Sequence, residues 1–463
     1  MLLKLSRFFL FASVFCINVV LWSTFFPFIG GKYYFFRVAV EASLAFFLLW
    51  WGFVAKPGEL EERFSKVSKS WIFRAVTVFT VVFMLATIFA DDPHTAFWSN
   101  FERGDGGFQM LHYYAFFFLL VILFRERRDW IKIFKLSIAA AVLMILYGIG
   151  AAVYLPGFIG PYRDASGGPS APTLFGRIFS DSRFQGSLGN PAYVAPYLMF
   201  AIFYALYYWY SKKEGKAPWK LVSVIGLVVV FLIFFVLSQT RGAFLGLAAA
   251  LFIFALYVGF SDSRMRKKAA VGLLVLIVLG AGVYAFRKPL VDRNVPGSRF
   301  LTISLSDQTA QTRFWTWGSA WKGFLDRPLL GWGPENFSTV FDKYFDTRHF
   351  NPNQNTETWF DHAHSVIFDY LAATGLLGFL AYLSIFAAYY YEFFKMPRRE
   401  ESRDPKYRAP TESVALRGLL FAIPVAYFVQ ALILFDVLPI LINLFIILGF
   451  ALYEFENTHE QRT

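Results

Sequence analysis

Two histidines stand one residue apart in the stretch FDHAHSVIFDYLAATGLLG, which occupies residues 360–378. A polar stretch precedes them and an apolar helical pattern follows at once, so His364 stands at the mouth of a predicted membrane helix, with His362 two residues earlier. A neutral imidazole can take up a proton near physiological pH, which makes His364 a candidate general base. The other interpretation is a polar residue at the membrane interface.

The neighbours of the two histidines suggest supporting roles. Asp361 could orient an imidazole, because carboxylates often bind the ring N–H of a histidine. Ser365 and Asp369 lie four residues apart and therefore share one face of the predicted helix. We expect Asp369 to form hydrogen bonds within the helix bundle rather than to relay protons.

A metal site is the competing interpretation of these histidines. The possible ligands are His349, His362 and His364, with Asp361 or Glu357. Beyond the single His-x-His pair, they lack the close ligand spacing of zinc sites, so the sequence predicts neither a metal nor another cofactor. The one cysteine, Cys16, lies inside the first apolar run and is expected to be a small buried apolar residue.

Four arginines stand in loops that are predicted to face the same side of a membrane. They are Arg103, Arg183, Arg241 and Arg313. The guanidinium group offers a rigid fork of donors that suits a phosphate, and Arg241 lies in a tight turn between two apolar runs, LSQTRGAFLG. Together the four would suit an anionic ligand such as a pyrophosphate, whose charge several cations can share. The alternative is a set of scattered surface charges.

The composition indicates that membrane helices position these groups. Of the 463 residues, 57% are hydrophobic and only 16% are charged, whereas a soluble domain has about 25% charged residues. Apolar runs of about 20 residues, each able to cross a bilayer alone, recur along the chain. We predict an all-α polytopic membrane protein with twelve such segments: 8–28, 34–55, 71–90, 108–124, 131–155, 191–210, 221–239, 243–260, 269–286, 364–392, 415–434 and 437–455.

The loops between these segments alternate in character. One set is short and basic, namely KPGELEERFSKVSK, RERRDWIKIFK, SKKEGKAPWK, SDSRMRKK and KMPRREESRDPKYR. The positive-inside rule places this set in the cytoplasm, together with both termini. The net charge of +12 therefore reflects membrane orientation and not a nucleic-acid partner. No cleavage site closes the first apolar run, so we interpret it as a retained signal-anchor of a multi-pass inner (plasma) membrane protein.

The outer side carries the candidate chemistry and one large loop between segments nine and ten. This loop holds Trp315, Trp317, Trp321, Trp332 and Trp359 and the helix-like stretch RFWTWGSAWKGFL. We therefore predict three parts. Segments one to nine occupy 1–286, a large, partly helical periplasmic loop occupies 287–363, and segments ten to twelve with a cytoplasmic tail occupy 364–463.

Four stretches resemble motifs of the bacterial O-antigen ligase and polymerase superfamily. His364-Ser365, nine residues, Gly375, two residues and Gly378 resemble the ligase pattern H-[N/S/Q]-x9-G-x-x-G. RPLLGWGPENF at 327–337 resembles PLLGxGxxxF, SQTRGAFLG resembles the S-R-[G/S] turn, and GSLGNPAYVA resembles G-x-x-x-NPN-x-x-A. The resemblance covers roughly residues 97–380 in order, and a large outer loop before the histidine helix also fits the family.

The resemblance implies a GT-C type glycosyltransferase. Such an enzyme moves a glycan from undecaprenyl pyrophosphate to an acceptor such as lipid A-core, on the outer face of the inner membrane, without metal or nucleotide sugar. Carried over by position, His364 would be the general base, and Arg241 and Arg313 would hold the pyrophosphate leaving group. The expected reaction is direct displacement at the anomeric carbon with inversion. Arg103 and Arg183 are added to this anion site only because their loops are predicted to face the same side of the membrane.

The sequence departs from the family pattern at two places and leaves other functions open. Ala192 stands where NPN has its second Asn, and Gln239 and Thr240 lengthen the S-R turn. A polymerase that joins repeat units, or an oligosaccharyltransferase that modifies protein Ser or Thr, would use nearly the same site. From another class, a transporter or flippase of lipid-linked glycans would be expected to show repeated halves and broken helices, of which the sequence shows little.

Overall fold

The computed structural model describes residues 1–100, 104–152, 183–211, 218–292, 308–350, 358–396 and 411–460. Within these ranges the regular elements are helices, as predicted. The α-helices in chain order are α1 (Leu2–Ser13), α2 (Gly30–Phe53), α3 (Glu59–Val67), α4 (Trp71–Ile88), α5 (Pro93–Trp98), α6 (Gly107–Leu123), α7 (Arg127–Ala152), α8 (Pro191–Ser211), α9 (Pro218–Leu237), α10 (Arg241–Ser261), α11 (Arg266–Ala285), α12 (Arg287–Asp292), α13 (Gln308–Asp326), α14 (Phe337–Lys343), α15 (Val366–Lys395), α16 (Thr411–Ala431) and α17 (Leu438–Glu460).

Ten of the described helices are long and apolar enough to cross a membrane. They are α2, α4, α7, α8, α9, α10, α11, α15, α16 and α17. Each coincides with one of the twelve predicted segments, so the multi-pass architecture is confirmed. The predicted fourth segment is α6, an apolar helix of 17 residues, which is shorter than the about 20 residues that a full crossing usually takes.

The predicted first segment, 8–28, does not form one continuous helix. Helix α1 ends at Ser13, and one 3₁₀ turn, Val14–Asn18, follows it. The side-chain amide of Asn18 donates to the carbonyl of Ala140 at 3.0 Å. The ammonium of Lys32, whose residue is 3% exposed, donates to the carbonyl of Val19 at 2.6 Å. These side-chain bonds satisfy backbone and polar groups where the helix stops, which allows a non-helical stretch inside the protein.

The helices pack into one aromatic-rich core. Helix α15 packs along α4, α10 packs along α16, and α1 packs along α2. Nearly the whole apolar length of α17 is buried, which makes it a central helix of the bundle. In contrast, α11 buries none of its residues, as expected for a helix that faces lipid on most sides.

Helix α15, which follows the two histidines, is broken at Gly375. Gly375 has φ +63° and ψ −165°, which is not a helical conformation. The segment Pro328–Gly333 inserts at the break and pairs with the backbone groups that the helix leaves open. The amides of Leu376 and Leu377 donate to the carbonyls of Pro328 and Leu329 at 2.8 and 3.2 Å, and the amides of Trp332 and Gly333 donate to the carbonyls of Ala372 and Ala373 at 2.8 and 2.9 Å.

Glycine is required at this junction for two reasons. Its positive φ is strained for residues with a side chain. A Cβ on Gly375 would also lie 2.4 Å from the backbone of Leu329, and one on Gly331 would lie 2.5 Å from the carbonyl oxygen of Ala372. The two motifs PLLGWG and H-S-x9-G, whose starts are 36 residues apart in the sequence, therefore form one structural unit.

The segment between α12 and α15 is partly helical, as predicted, and has its own small core. Helices α13 and α14 pack against each other and against α15. Their cluster of buried side chains includes Ala320, Trp332, Phe337, Val340, Phe341 and Phe360. The Trp332 indole also donates to the carbonyl of Gly323 at 2.8 Å. This small domain sits directly on the start of the histidine helix. The predicted division into three parts and the periplasmic side of this segment stay predictions.

Candidate active site

A cavity of about 80 Å³ lies where the starts of α6, α15 and α17 meet the segment after Gly333. Its polar lining consists of Asp105, Glu335, His362, Asp369 and Asp436. Aromatic side chains complete the wall, among them Tyr113, Tyr370 and Phe435. A histidine among carboxylates and aromatic rings at the mouths of membrane helices is the arrangement expected of a functional site.

His362 lines this cavity and is held on three sides. Its Nδ1 lies 3.2 Å from Oδ1 of Asp369, and its Nε2 lies 3.7 Å from Oε1 of Glu335. The ring stacks on Phe435 with centroids 4.3 Å apart and planes 11° apart. The sequence pointed to Asp361 as the orienting carboxylate. The carboxylate of Asp369, one turn inside α15, contacts the ring, and the role of Asp361 stays a prediction.

Asp369 also shapes the loop that carries both histidines. Its Oδ1 accepts a hydrogen bond from the backbone N–H of Ala363 at 2.8 Å, besides its contact with His362. Its own N–H donates to the carbonyl of Ser365 at 2.8 Å. The prediction that Asp369 forms hydrogen bonds within the bundle is therefore confirmed. Ser365 itself is buried at the N-cap position of α15.

His364 has a fixed tautomer. Its Nδ1 lies 3.1 Å from the carbonyl oxygen of His362, and a carbonyl only accepts, so Nδ1 carries the proton and Nε2 is left as an acceptor. The residue has φ +56°, which is uncommon for a residue with a side chain and marks a strained position. Phe435 and Phe360 contact the ring edge-to-face at 5.1 and 5.5 Å. Burial lowers the pKa of His364 to about 4, and the charge of Arg313 adds to this.

Helix α13 brings Arg313 to the histidine loop. The charge of Arg313 acts on His364. One turn further along, the indole N–H of Trp317 donates to the carbonyl of Ala363 at 2.8 Å. The Trp317 ring also stacks on Phe368 at 5.1 Å. Arg313 is thus close enough for its charge to act on His364, while its role in holding a leaving group stays a prediction.

Arg183 and Arg241 meet at the turn between α9 and α10. Arg183 donates through Nε to the carbonyl of Ser238 at 3.0 Å and through Nη2 to Oγ1 of Thr240 at 3.2 Å. Arg241 is the first residue of α10 and is half-buried. A Cβ on its neighbour Gly242 would lie 2.6 Å from Ile433, so this turn packs on the chain just before Phe435, the residue that contacts both histidines.

Two other predicted site residues remain. Arg103 lies outside the described residues. Asp361 is half-buried beside His362. In α2, Arg37 donates to the Gln109 side chain and the Gly104 carbonyl, and Glu41 contacts His112.

The residues proposed above as metal ligands are not gathered in the described structure. His349 packs edge-to-face against Trp315 and Phe341, in an aromatic cluster of the small domain. Burial lowers the pKa of its imidazole. Glu357 lies outside the described residues. Across the part of the chain that the structure describes, no group of three His, Cys, Asp or Glu side chains is arranged to hold a metal ion.

Three acidic residues of the cavity, Asp105, Glu335 and Asp436, were not predicted as site residues from the sequence. Asp436, which lies between α16 and α17, accepts hydrogen bonds from Tyr427 and Tyr370 at 2.7 and 3.1 Å. Burial raises its pKa to about 6. Glu335 lies within the quoted motif PLLGWGPENF, and Asp105 within FERGDGG. The signal that could have identified them is an acidic side chain in each loop of the outer set.

The asymmetry of charge defines what the site can do. Carboxylates and His362 line the cavity. The charge of Arg313 acts on His364, and Arg241 lies at the turn between α9 and α10. This arrangement suits proton transfer coupled to the departure of an anionic group.

Comparison with known proteins agrees with the motifs. Residues 226–383 match the family model described as O-Antigen ligase. The match takes in Arg241, Arg313, Glu335 and both histidines, while Asp105, Arg183 and Asp436 lie outside it. No curated protein matches the chain. Residues 226–383 are therefore similar to the O-antigen ligase family, the family that the motifs of the sequence resemble.

Proposed function

We propose that the chain is a membrane glycosyltransferase that moves a glycan from undecaprenyl pyrophosphate to an acceptor, with lipid A-core as the acceptor that the family suggests. One observation carries the proposal: His364 presents an unprotonated Nε2 within reach of the charge of Arg313. The family match supports a ligase-type enzyme of membrane glycans. The reaction needs neither a metal nor a nucleotide sugar.

The proposed step is a single displacement. An acceptor hydroxyl attacks the anomeric carbon, a new C–O bond forms, and the bond from that carbon to the pyrophosphate oxygen breaks, so the configuration inverts. The hydroxyl proton passes to Nε2 of His364. With a pKa of about 4, His364 is neutral at pH 7 but a weak base, so the proton moves as bond formation makes the hydroxyl more acidic. Arg313 and Arg241 stabilise the charge of the leaving lipid pyrophosphate.

The proposed location rests on the loop charges of the sequence. The loops that carry the site are the set predicted to face outward, so we place the reaction on the outer face of the inner membrane, with both termini in the cytoplasm. A polyprenyl chain would lie among the exposed apolar helices while its pyrophosphate reaches the arginines.

Two alternatives share part of this support. A polymerase or a protein oligosaccharyltransferase would use the same base and arginines and differ only in the acceptor. The broken helix at Gly375 is one feature that supports a transporter, because discontinuous helices are typical of transporters. However, the backbone groups at this break bond to Pro328–Gly333, which makes the break a rigid joint and favours an enzyme.

The arginines provide the test. In proteoliposomes that contain a polyprenyl-pyrophosphate glycan, Arg313→Ala and Arg241→Ala should each lower the release of lipid pyrophosphate by about a hundredfold or more, because each removes transition-state charge stabilisation. Arg348→Ala is the matched control, since Arg348 is an exposed arginine of the same domain, paired with Asp346. Unchanged release in both test variants would remove the arginines from the mechanism.

A further inference from the structure

We propose that Glu335 and Asp369 form the acceptor subsite of this cavity, and that it binds two hydroxyl groups of a sugar that carries no anionic group. The inference rests on the proposed function and names the chemical class of its second substrate.

Glu335 has hydrogen-bonding capacity left on the cavity side. Its side chain is only 5% exposed. Oε2 accepts a hydrogen bond from the hydroxyl of Ser99 at 2.7 Å. Oε1 faces His362, but its distance of 3.7 Å from Nε2 is longer than a hydrogen bond. The residue also has φ +60°, a strained conformation for a residue with a side chain.

Asp369 resembles Glu335 in that only one of its two carboxylate oxygens has a hydrogen-bond partner among the described residues. Oδ1 accepts from Ala363 and contacts His362. Oδ2 is buried and has no hydrogen-bond partner among the described residues. Burying a carboxylate oxygen without a hydrogen-bond donor is unfavourable. Hydrogen-bond donors of a bound ligand would therefore satisfy Oε1 of Glu335 and Oδ2 of Asp369.

The walls of the cavity identify the donors as sugar hydroxyls. Two carboxylate oxygens beside aromatic rings, here Tyr370 and Phe435, suit a polyhydroxylated ring, whose hydroxyls donate while its apolar face packs on an aromatic surface. His362 lies between the two carboxylates. Such a pair binds neighbouring hydroxyls of one sugar, which a single Ser or Thr side chain would not provide.

The charge of the cavity excludes an anionic acceptor sugar. Asp105 and Asp436 line it as well, and none of the described residues that line it is a lysine or an arginine. A phosphate or carboxylate on the acceptor sugar would face this field at short range and low dielectric. The two substrates are therefore sorted by charge, with the pyrophosphate donor at the arginines and an uncharged acceptor sugar among the carboxylates.

The test compares two acceptors that differ in one group. Proteoliposomes with a fixed polyprenyl-pyrophosphate donor receive a neutral glycolipid, or the same glycolipid phosphorylated on its acceptor sugar. We expect wild type to prefer the neutral acceptor by about a hundredfold in kcat/KM. Glu335→Gln and Asp369→Asn should each raise the KM for the neutral acceptor by about tenfold, because each weakens a charge-assisted hydrogen bond. The double variant Glu335→Gln/Asp369→Asn should show a smaller ratio of kcat/KM between the neutral and the phosphorylated acceptor than wild type.

Controls separate the subsite from the rest of the mechanism. Asp342→Asn changes an exposed carboxylate of the same domain and should leave both acceptors unaffected. Donor release to water, measured without acceptor, reports whether each variant is folded and binds donor. If a variant also loses donor release to water, it does not report on the acceptor subsite. The inference is then tested by the preference of wild type for the neutral over the phosphorylated acceptor.

Two results would overturn the inference. One is equal use of the neutral and the phosphorylated acceptor by wild type, and the other is transfer to a Ser-rich protein but to neither glycolipid. In both, donor release would persist and the proposed transferase would stand. Absence of release with every acceptor would instead refute the proposed function.

Discussion

At the scale of single residues, the site depends on how His364 is held. The carbonyl of His362 fixes its tautomer, and Asp369 fixes the loop that carries that carbonyl. The sequence pointed to the two histidines and to Arg241 and Arg313, because a histidine or an arginine at the mouth of a membrane helix is conspicuous. It did not identify Glu335 and Asp436, because acidic residues are common in loops. Only their burial in the folded protein distinguishes these two.

The low pKa of His364 predicts an unusual pH profile. Its ordinary value is 6.5 and burial lowers it to about 4, so the base stays unprotonated as the pH falls through 6 and becomes protonated near 4. In Asp436→Asn, which removes the group with a pKa of about 6, kcat/KM should stay within about twofold from pH 7.5 to 5 and fall towards pH 4. Half-maximal activity near pH 6.5 would show that an unperturbed histidine is the base.

At the scale of elements, the break in α15 could not be read from the sequence. The apolar run over 364–392 predicts one helix, and a glycine inside it is normal in membrane helices. The break forms because Pro328–Gly333, far away in the chain, supplies partners for the open backbone groups. The same segment continues into Glu335, so one insertion both holds the histidine helix and delivers a carboxylate to the cavity.

Gly375→Ala should therefore destabilise the protein. The substitution places a Cβ 2.4 Å from the backbone of Leu329 at a residue with φ +63°, and we expect a loss of about 2–4 kcal/mol in the free energy of unfolding. Thermal unfolding in detergent measures it. Gly272→Ala is the matched control, because a Cβ there meets nothing within 4 Å. Equal melting temperatures for the two variants would contradict the proposed joint.

At the scale of the whole molecule, the lengths of the apolar runs predicted most of the architecture. Hydrophobic length alone identified the ten long helices, since each must satisfy its backbone within the bilayer. It failed over 8–28, where Lys32 and Asn18 allow the helix to stop inside the protein. At the end opposite the site, loops of the basic set contact other chain segments, with Arg7 3.5 Å from Asp129 and the Ser70 hydroxyl 2.8 Å from Glu392.

The two ends of the bundle should therefore differ in accessibility. Native Cys16 is 0% exposed, so wild type should react little with a membrane-impermeant maleimide added to intact spheroplasts. His94→Cys, at an exposed position near the site end, should be labelled, and Lys66→Cys, at an exposed position of a basic loop, should be labelled only after permeabilisation. Labelling of Lys66→Cys in intact spheroplasts, with His94→Cys labelled only after permeabilisation, would contradict the proposed orientation.

The most direct test of the central claim compares wild type with His364→Ala in proteoliposomes that hold the donor and a neutral glycolipid acceptor. His94→Ala, which changes an exposed histidine away from the cavity, serves as the control. We predict that transfer falls by about a thousandfold or more in His364→Ala, through loss of the base, and is unchanged in His94→Ala. Transfer by His364→Ala at the wild-type rate would contradict the account.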